Sequence, residues 1–302
     1  MRKEFSSGIE KAALADSKIV FITGDLGFMA LENVRDAIKG RFINAGVSEQ
    51  NMISFAAGLA SQGLKPVCYS IAPFAVFRPA EQIRLDVGLH NMNVKIVGNG
   101  GGYGYGIMGA THHAIEDIAV MSSFQNMKCY VPFCNEDVAG SLDAMLKRKG
   151  PAYLRLGYGS KPGPLDIPGF SPVRKLCAGV DLTIAVMGPV ALDVLQAMGK
   201  TDVNNDLFVF SEIPAAELTE EFMQSVIKNR KLLIVEEHVS RGGLGEMLAL
   251  MLMKNNIRCG LRHVHALGYP DGLYGSQAYH KSACGLDAES LAKTIKEFTD
   301  EQ

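Results

Sequence analysis

Along the first half of the chain, short and predominantly apolar runs alternate with longer stretches in which apolar residues return every three or four positions. Residues 18–23 (KIVFIT), 66–70, 94–98, 128–131 and 152–156 are runs of the first kind. Such runs predict strands buried on both faces, as in a parallel sheet. Residues 1–16, 77–90, 116–124 and 137–147 are of the second kind and predict helices, the first with Phe5, Ile9, Ala12 and Ala13 on one face. The stretch 41–63, RFINAGVSEQNMISFAAGLASQG, compresses a whole unit. Phe42 and Ile43 read as a strand, Gly46 permits a sharp turn, and Ser48 stands where it can cap a helix. Met52, Ile53, Ala56, Leu59 and Ala60 then recur at helical spacing, and Gly63 is placed to end the helix.

Residues 158–175 break the rhythm, being rich in proline and glycine without hydrophobic periodicity, and read as a linker. Alternation resumes beyond it, with strands at 182–187, 207–211, 231–235 and 261–266 and helices at 192–198, 220–228, 245–254 and 288–298. The fold class this predicts is α/β, with two layered domains, 1–157 and 176–302, each built on a mostly parallel sheet. Ligands of such sheets bind beyond the carboxyl ends of the strands. The loops GDLG, AGVSEQ, SIAPF and GNGGGYGYG all follow predicted strands, so they can converge on one site.

Composition narrows the class. With 302 residues, 47% hydrophobic content and a formal net charge of -2, the chain can bury two cores and suggests no nucleic-acid partner. Its longest wholly apolar run, MLALMLM at 247–253, is too short to cross a bilayer, and MRKEFSSGIEKAALADSK at the start has no signal-type apolar segment. A cytoplasmic, membrane-free protein is expected. The six cysteines form no CxxC pair and do not cluster with the seven histidines as zinc ligands do, which points to reduced thiols.

The candidate chemistry starts at Glu49. On spacing alone, a carboxylate at a helix start is a dipole partner worth well under about 1 kcal/mol. The whole string GVSEQNMISFAAGLA, however, resembles the cofactor-activating segment of transketolases and 1-deoxyxylulose-5-phosphate synthases. That resemblance implies thiamine diphosphate as cofactor, with the Glu49 carboxylate bonded to the aminopyrimidine ring nitrogen and favouring its imino tautomer. Such a carboxyl must stay dry, which suits a strand end against an apolar helix.

Other stretches extend the resemblance. In SIAPFAVFRPAEQIR, Phe74 and Phe77 fall where the family packs rings around the pyrimidine, although two phenylalanines three apart also suit a core. Arg78, Glu81 and Arg84 read as a polar helix face or dimer contacts. Asp25, in TGDLG, matches the aspartate of a family turn that shapes the cofactor site and equally suits an ordinary turn. The run GNGGGYGYGIMGATHHAIED lacks the lysine of a phosphate loop and the context of a dinucleotide fingerprint. It resembles the transketolase loop ending in a THQ-like motif. His112 then lands on a histidine that bonds substrate oxygens, and His113 stands in place of the usual glutamine; as bare residues the pair also suits capping or surface structure. HVSRGGLGEMLA, in the second half, resembles a family glycine-rich turn, and His263 and His265 receive no role.

Departures from the pattern bear on substrate. Aligned without gaps, Arg2 and Arg155 keep the two phosphate-binding arginine positions, whereas Met29 replaces a serine, Gly100 a histidine and Met108 an aspartate. The implied pocket is roomier and less polar, and its acceptor a larger or modified sugar. No GDG motif occurs in the chain. The resemblance therefore implies a separate N-terminal transketolase subunit that carries GDG and holds the diphosphate and Mg²⁺, in a two-plus-two heterotetramer. The activity implied is transfer of a two-carbon ketol unit from a ketose to a sugar acceptor. Alternatives are a deoxyxylulose-phosphate-synthase-like or 2-oxo-acid dehydrogenase β-like subunit, or a non-catalytic interaction subunit.

Overall fold

The computed structural model describes residues 1–27, 29–160 and 166–301. Helix α1 (Arg2–Ala15) precedes β1 (Ile19–Thr23); α2 (Glu32–Ile38), β2 (Phe42–Asn44), α3 (Glu49–Ser61) and β3 (Lys65–Ile71) follow. Next come α4 (Ala72–Val76), α5 (Ala80–Gln82), β4 (Lys95–Asn99), α6 (Asp117–Ser123), β5 (Lys128–Tyr130), α7 (Val138–Lys147) and β6 (Ala152–Leu156). The second half contains β7 (Val173–Cys177), β8 (Leu182–Met187), α8 (Ala191–Met198), β9 (Asn205–Phe210) and β10 (Glu212–Ile213). It ends with α9 (Glu220–Asn229), β11 (Lys231–Glu236), α10 (Leu244–Lys254), β12 (Gly260–His265), α11 (Gln277–Ala283) and α12 (Ala288–Asp300). Among the described residues, no helix is long and apolar enough to cross a membrane.

The strands form a seven-stranded sheet in the order β10-β5-β6-β4-β3-β1-β2 and a five-stranded sheet in the order β12-β11-β8-β9-β7. Pairing is parallel except for β10 on β5 and β7 on β9, so the expected α/β class with mostly parallel sheets holds. Register positions the site. Thr23 pairs with Asn44, Ile71 with Asn99, and Asn99 with Leu156, so the carboxyl ends of neighbouring strands finish along one edge.

Four local features differ from expectation. The helix expected over 77–90 begins earlier, at Ala72, and is interrupted by a turn at 77–79 before a wide, π-type helix over Ile83–Leu89. Pro79, lacking an N–H, cannot continue a preceding helix. Helices α2 and α11 lie in stretches whose periodicity is too short to stand out. The expected linker, of which 161–165 lie outside the described residues, ends in strand β7, where Arg174 and the backbone pair with β9. Finally, Ser48 holds the cap position of α3, but its hydroxyl donates to the Ala45 carbonyl at 2.6 Å instead of accepting from the helix.

The two sheets are joined by packing and by charge. One apolar cluster runs from Ile22, Met52 and Ile96 through Cys129, Val131 and Tyr153 to Ala185, Phe208 and Ile234. After β9 the chain leaves its own sheet, and β10 adds to the edge of the first. Beside this crossing, Arg174 forms a two-nitrogen fork on Asp137, with both bonds 2.7 Å and both side chains buried. Its guanidinium also donates to Ser211 Oγ at 2.6 Å. Removing one partner of such a pair leaves a buried charge uncompensated. Arg174→Met is therefore expected to cost about 3–5 kcal/mol in denaturant unfolding; a loss below about 1 kcal/mol, the range of exposed pairs, would show that the fork does not hold the sheets together.

Lys95 supplies a second stability test. It is buried without a carboxylate and donates to the carbonyls of Arg148 and Gly150 at 2.8 and 2.7 Å. Burial, and then the charge of Arg148, pull its ammonium down to about 7. The unfolded chain then binds more protons than the folded one between about pH 7 and the ordinary lysine value near 10.4. Stability from this group is fully present above that value and is lost as pH falls towards 7. The melting temperature should rise more between pH 7 and 9.5 for the native chain than for Lys95→Met; parallel curves would contradict this.

Candidate active site

The site grows from the turn between β2 and α3. Gly46 adopts φ +71°, a conformation costly for other residues, and lets the chain reverse directly into α3. Glu49 is the first residue of that helix, and its side chain turns inward, leaving it 4% exposed. Gly24, just past β1, comes so close that a Cβ there would lie 3.7 Å from Glu49 Oε1. Ser70, near the end of β3, brings its Oγ to 3.5 Å from the same oxygen. The main partner is Arg78, whose Nη1 donates to both carboxylate oxygens at 3.0 Å. In front lies an open cleft of about 570 Å³ lined by Val47, Ser48, Glu49, Gln50, Asn51 and Arg78.

Phe74 forms the next layer. It lies on α4, immediately after β3, and the guanidinium carbon of Arg78 sits 3.8 Å from its ring centre. On its other side, the His112 ring meets Phe74 edge-on at 5.2 Å. His112 Nδ1 lies 2.9 Å from Thr111 Oγ1, and its ring is 5.9 Å from Tyr105. The Tyr105 hydroxyl accepts from Asn99 Nδ2 at 2.8 Å, at the end of β4. Arg2, half-buried at the start of α1, acts electrostatically on the hydroxyls of Tyr69 and Tyr105. Glu49, Phe74, His112 and Arg2 thus share the carboxyl edge of one sheet.

Tyr105 alters the expected space at Gly100. A Cβ on Gly100 would stand 2.3 Å from the Tyr105 ring, so the tyrosine fills the volume that a larger residue 100 would take. The pocket is therefore not roomier at this point. Met29 and Met108, at the other two departures from the family pattern, are exposed.

The remaining candidates stand elsewhere. Asp25 is an exposed turn residue at φ +59°; its carboxylate accepts from Asn44 Nδ2 at 2.8 Å, and Asn44 Oδ1 accepts from the Asp25 and Gly46 amides. It borders a separate cleft of about 430 Å³. Phe77 lies exposed on the turn beside Arg78. His113 points away from His112 and is buried: Nε2 lies 2.8 Å from the Gly106 carbonyl and Nδ1 2.8 Å from Tyr269 Oη. Burial pulls its imidazole below the ordinary histidine range. It fastens the glycine-rich loop to the second half of the chain.

Arg155, expected at a phosphate, is likewise enclosed. It is 4% exposed, its Nε lies 3.1 Å from buried Asp117 Oδ2, and Nη2 donates to the carbonyls of Ala114 and Glu237. Glu237 is buried too and accepts from the Tyr103 amide at 2.7 Å and from Gln277 Nε2 at 2.9 Å. Burial pushes this carboxyl above the usual range. Gly102, at φ +65°, would drive a Cβ to 2.6 Å from Glu237 Oε1, so the loop's glycines are the mould around this carboxylate.

Sequence reasoning passes over Arg78, Ser70, Asn99 and Tyr105. Only Arg78 carries a local signal: it follows Phe74 by four residues, the spacing that brings side chains together on a helix. The others depend on strand register. Among the described residues, no group of three or more His, Cys, Asp or Glu is arranged to hold a metal ion.

Comparison with known proteins agrees with this geometry. The profile of the transketolase pyrimidine-binding domain matches residues 1–160. One of the two subunits of an apulose-4-phosphate transketolase from Phocaeicola vulgatus is 30% identical over 98% of this chain and 96% of that protein. A 6-deoxy-6-sulfo-D-fructose transketolase subunit of Clostridium sp. is 31% identical over 95% of this chain and 91% of its own. Among solved structures, a split-gene transketolase described as an inactive β4 tetramer superposes with a TM-score of 0.84 and 25% identity, over 99% of this chain and 97% of that one. With its pyrimidine-domain match and end-to-end relatives, the chain belongs to the transketolase family.

Proposed function

We propose that this chain is the pyrimidine-binding subunit of a thiamine-diphosphate-dependent transketolase, transferring a two-carbon ketol unit from a ketose donor to an aldose-type or modified sugar acceptor. The observation that carries the proposal is the pocket of Glu49 and Phe74. A buried carboxylate beside an aromatic face, already occupied by the flat cation of Arg78, suits a flat nitrogen heterocycle. In this reading residues 1–157 are the pyrimidine-binding domain and 176–302 the transketolase C-terminal domain. A separate GDG-bearing chain supplies the diphosphate and Mg²⁺ site, in a two-plus-two assembly in the cytoplasm. The names of the relatives, subunits of transketolases acting on unusual sugars, support both the split arrangement and a non-standard acceptor.

When bound, thiamine diphosphate supplies the carbon that breaks and re-forms the sugar carbon–carbon bond. The chain's own residues do the rest. Glu49 shares a proton with the ring nitrogen, and its burial strengthens that bond. Phe74 provides a stacking face worth about 0.5–1.5 kcal/mol beyond area. His112, whose Nδ1 is engaged by Thr111, presents Nε2 to a sugar oxygen, and Arg2 and Tyr105 supply charge and a hydroxyl beside it. Asp25 and Asn44 brace the turns next to Glu49, and Phe77 lines the mouth. His113 and Arg155 position the loop rather than touch substrate.

Two experiments test the proposal. In the assembled enzyme, Glu49→Gln should lower turnover at least about 10²-fold, the scale of a lost general acid–base group, while sedimentation shows unchanged assembly. Activity within about twofold of wild type would remove Glu49 from the mechanism. With ribose 5-phosphate as sole acceptor, kcat/KM should fall well below that for larger or modified sugars; full activity with it would refute the modified-acceptor reading.

A further inference from the structure

Arg78 has no part in the activity proposed above, yet it makes the closest polar contacts to the central carboxylate. Three observations define its position. Its planar guanidinium lies over the face of Phe74 at 3.8 Å, and the same group donates to both oxygens of Glu49 at 3.0 Å. Its side chain is 45% exposed while that of Glu49 is 3% exposed, so it closes the carboxylate off from the solvent side. It sits on the turn at 77–79 between two helical segments, directly before Pro79. Because the turn is not part of either helix, the side chain can swing out without unwinding backbone hydrogen bonds.

A flat group stacked on Phe74 and donating to Glu49 is what the site is proposed to offer the aminopyrimidine. We propose that Arg78 is a built-in stand-in for that ring: in the free subunit its guanidinium fills the pyrimidine position and neutralises Glu49, and it must leave before the cofactor's ring can enter. This rests on the reading of Glu49 and Phe74 as the pyrimidine pocket. The contact is built to be displaced. A single nitrogen serves both carboxylate oxygens, in contrast to the two-nitrogen fork of Arg174 on Asp137. A one-nitrogen contact forfeits the geometric advantage of a bidentate pair. Half-exposure also keeps the guanidinium partly hydrated, which weakens the attraction further. The device solves a problem peculiar to a divided site: without a cap, the lone subunit would carry a buried, unpaired carboxylate, and such a charge is costly.

The test uses the full-length chain alone and the free heterocycle 4-amino-5-hydroxymethyl-2-methylpyrimidine as probe, with binding read by saturation-transfer NMR. Arg78→Ala should bind the probe at least about tenfold more tightly than wild type, a difference of about 1.4 kcal/mol. Methylguanidinium should compete with the probe in the variant, because it restores the missing cap. Circular dichroism checks folding; if Arg78→Ala does not fold, Arg78→Gln, which keeps a neutral donor at similar reach, replaces it under the same expectation. Equal binding to wild type and variant would overturn the stand-in while leaving the pyrimidine pocket intact. Binding to neither would overturn the stand-in and the pocket together, and competition absent in a variant that binds the probe would show that the guanidinium and the ring do not share a position.

Discussion

A carboxylate cannot be buried alone. Glu49 is carried inward by the turn at Gly46 and fixed as the first residue of α3, and its surroundings are arranged to compensate it. Gly24 leaves room for it, Ser70 approaches one oxygen, and Arg78 caps both. Desolvating a charge costs several kcal/mol unless it is paired or shares a proton. The same cost that makes the group awkward in an isolated subunit makes it effective towards a ring nitrogen, since a bond in a dry site is electrostatically stronger than one in water. The parallel register of β1, β2, β3 and β4 is what aligns the loops around it.

The second half of the chain contributes by holding the glycine-rich loop from behind. Glu237 accepts from the Tyr103 amide, Tyr269 meets His113, and Arg155 ties Ala114 to the Glu237 carbonyl while facing Asp117. His112 lies on the open side of that loop, against Phe74 and Tyr105. The adjacent histidines thus face opposite ways, one to the site and one to the scaffold. This division explains why the loop is so rich in glycine: Gly101 and Gly102 pack directly on Arg155 and Glu237, where no side chain fits.

Much of the fold is legible in the sequence because the strands are buried on both faces and separated by amphipathic helices, so that pattern and structure share one period. The string around Glu49 is legible because strand, turn and helix are consecutive there. Arg155 is not, for the opposite reason: it sits in an apolar strand, and only the tertiary fold shows that Asp117 and two carbonyls take up its guanidinium. His113 differs from His112 through loop geometry that a dipeptide does not encode. Gly100 reads as a missing side chain, whereas Tyr105, five residues later, returns to fill its space. Arg78 reads as a helix-face charge because the local periodicity runs on through Pro79, where the folded chain breaks and frees it to lie back over Phe74.

The central claim is that this chain carries half of a thiamine diphosphate site and that another chain carries the rest. Native mass spectrometry of the protein purified from its own cells, with Mg²⁺ and thiamine diphosphate present, tests this most directly. The account predicts a complex of this chain with a second, GDG-bearing chain, its mass increased by that of the cofactor. A homo-oligomer of this chain that binds thiamine diphosphate and Mg²⁺ tightly without a partner would contradict it.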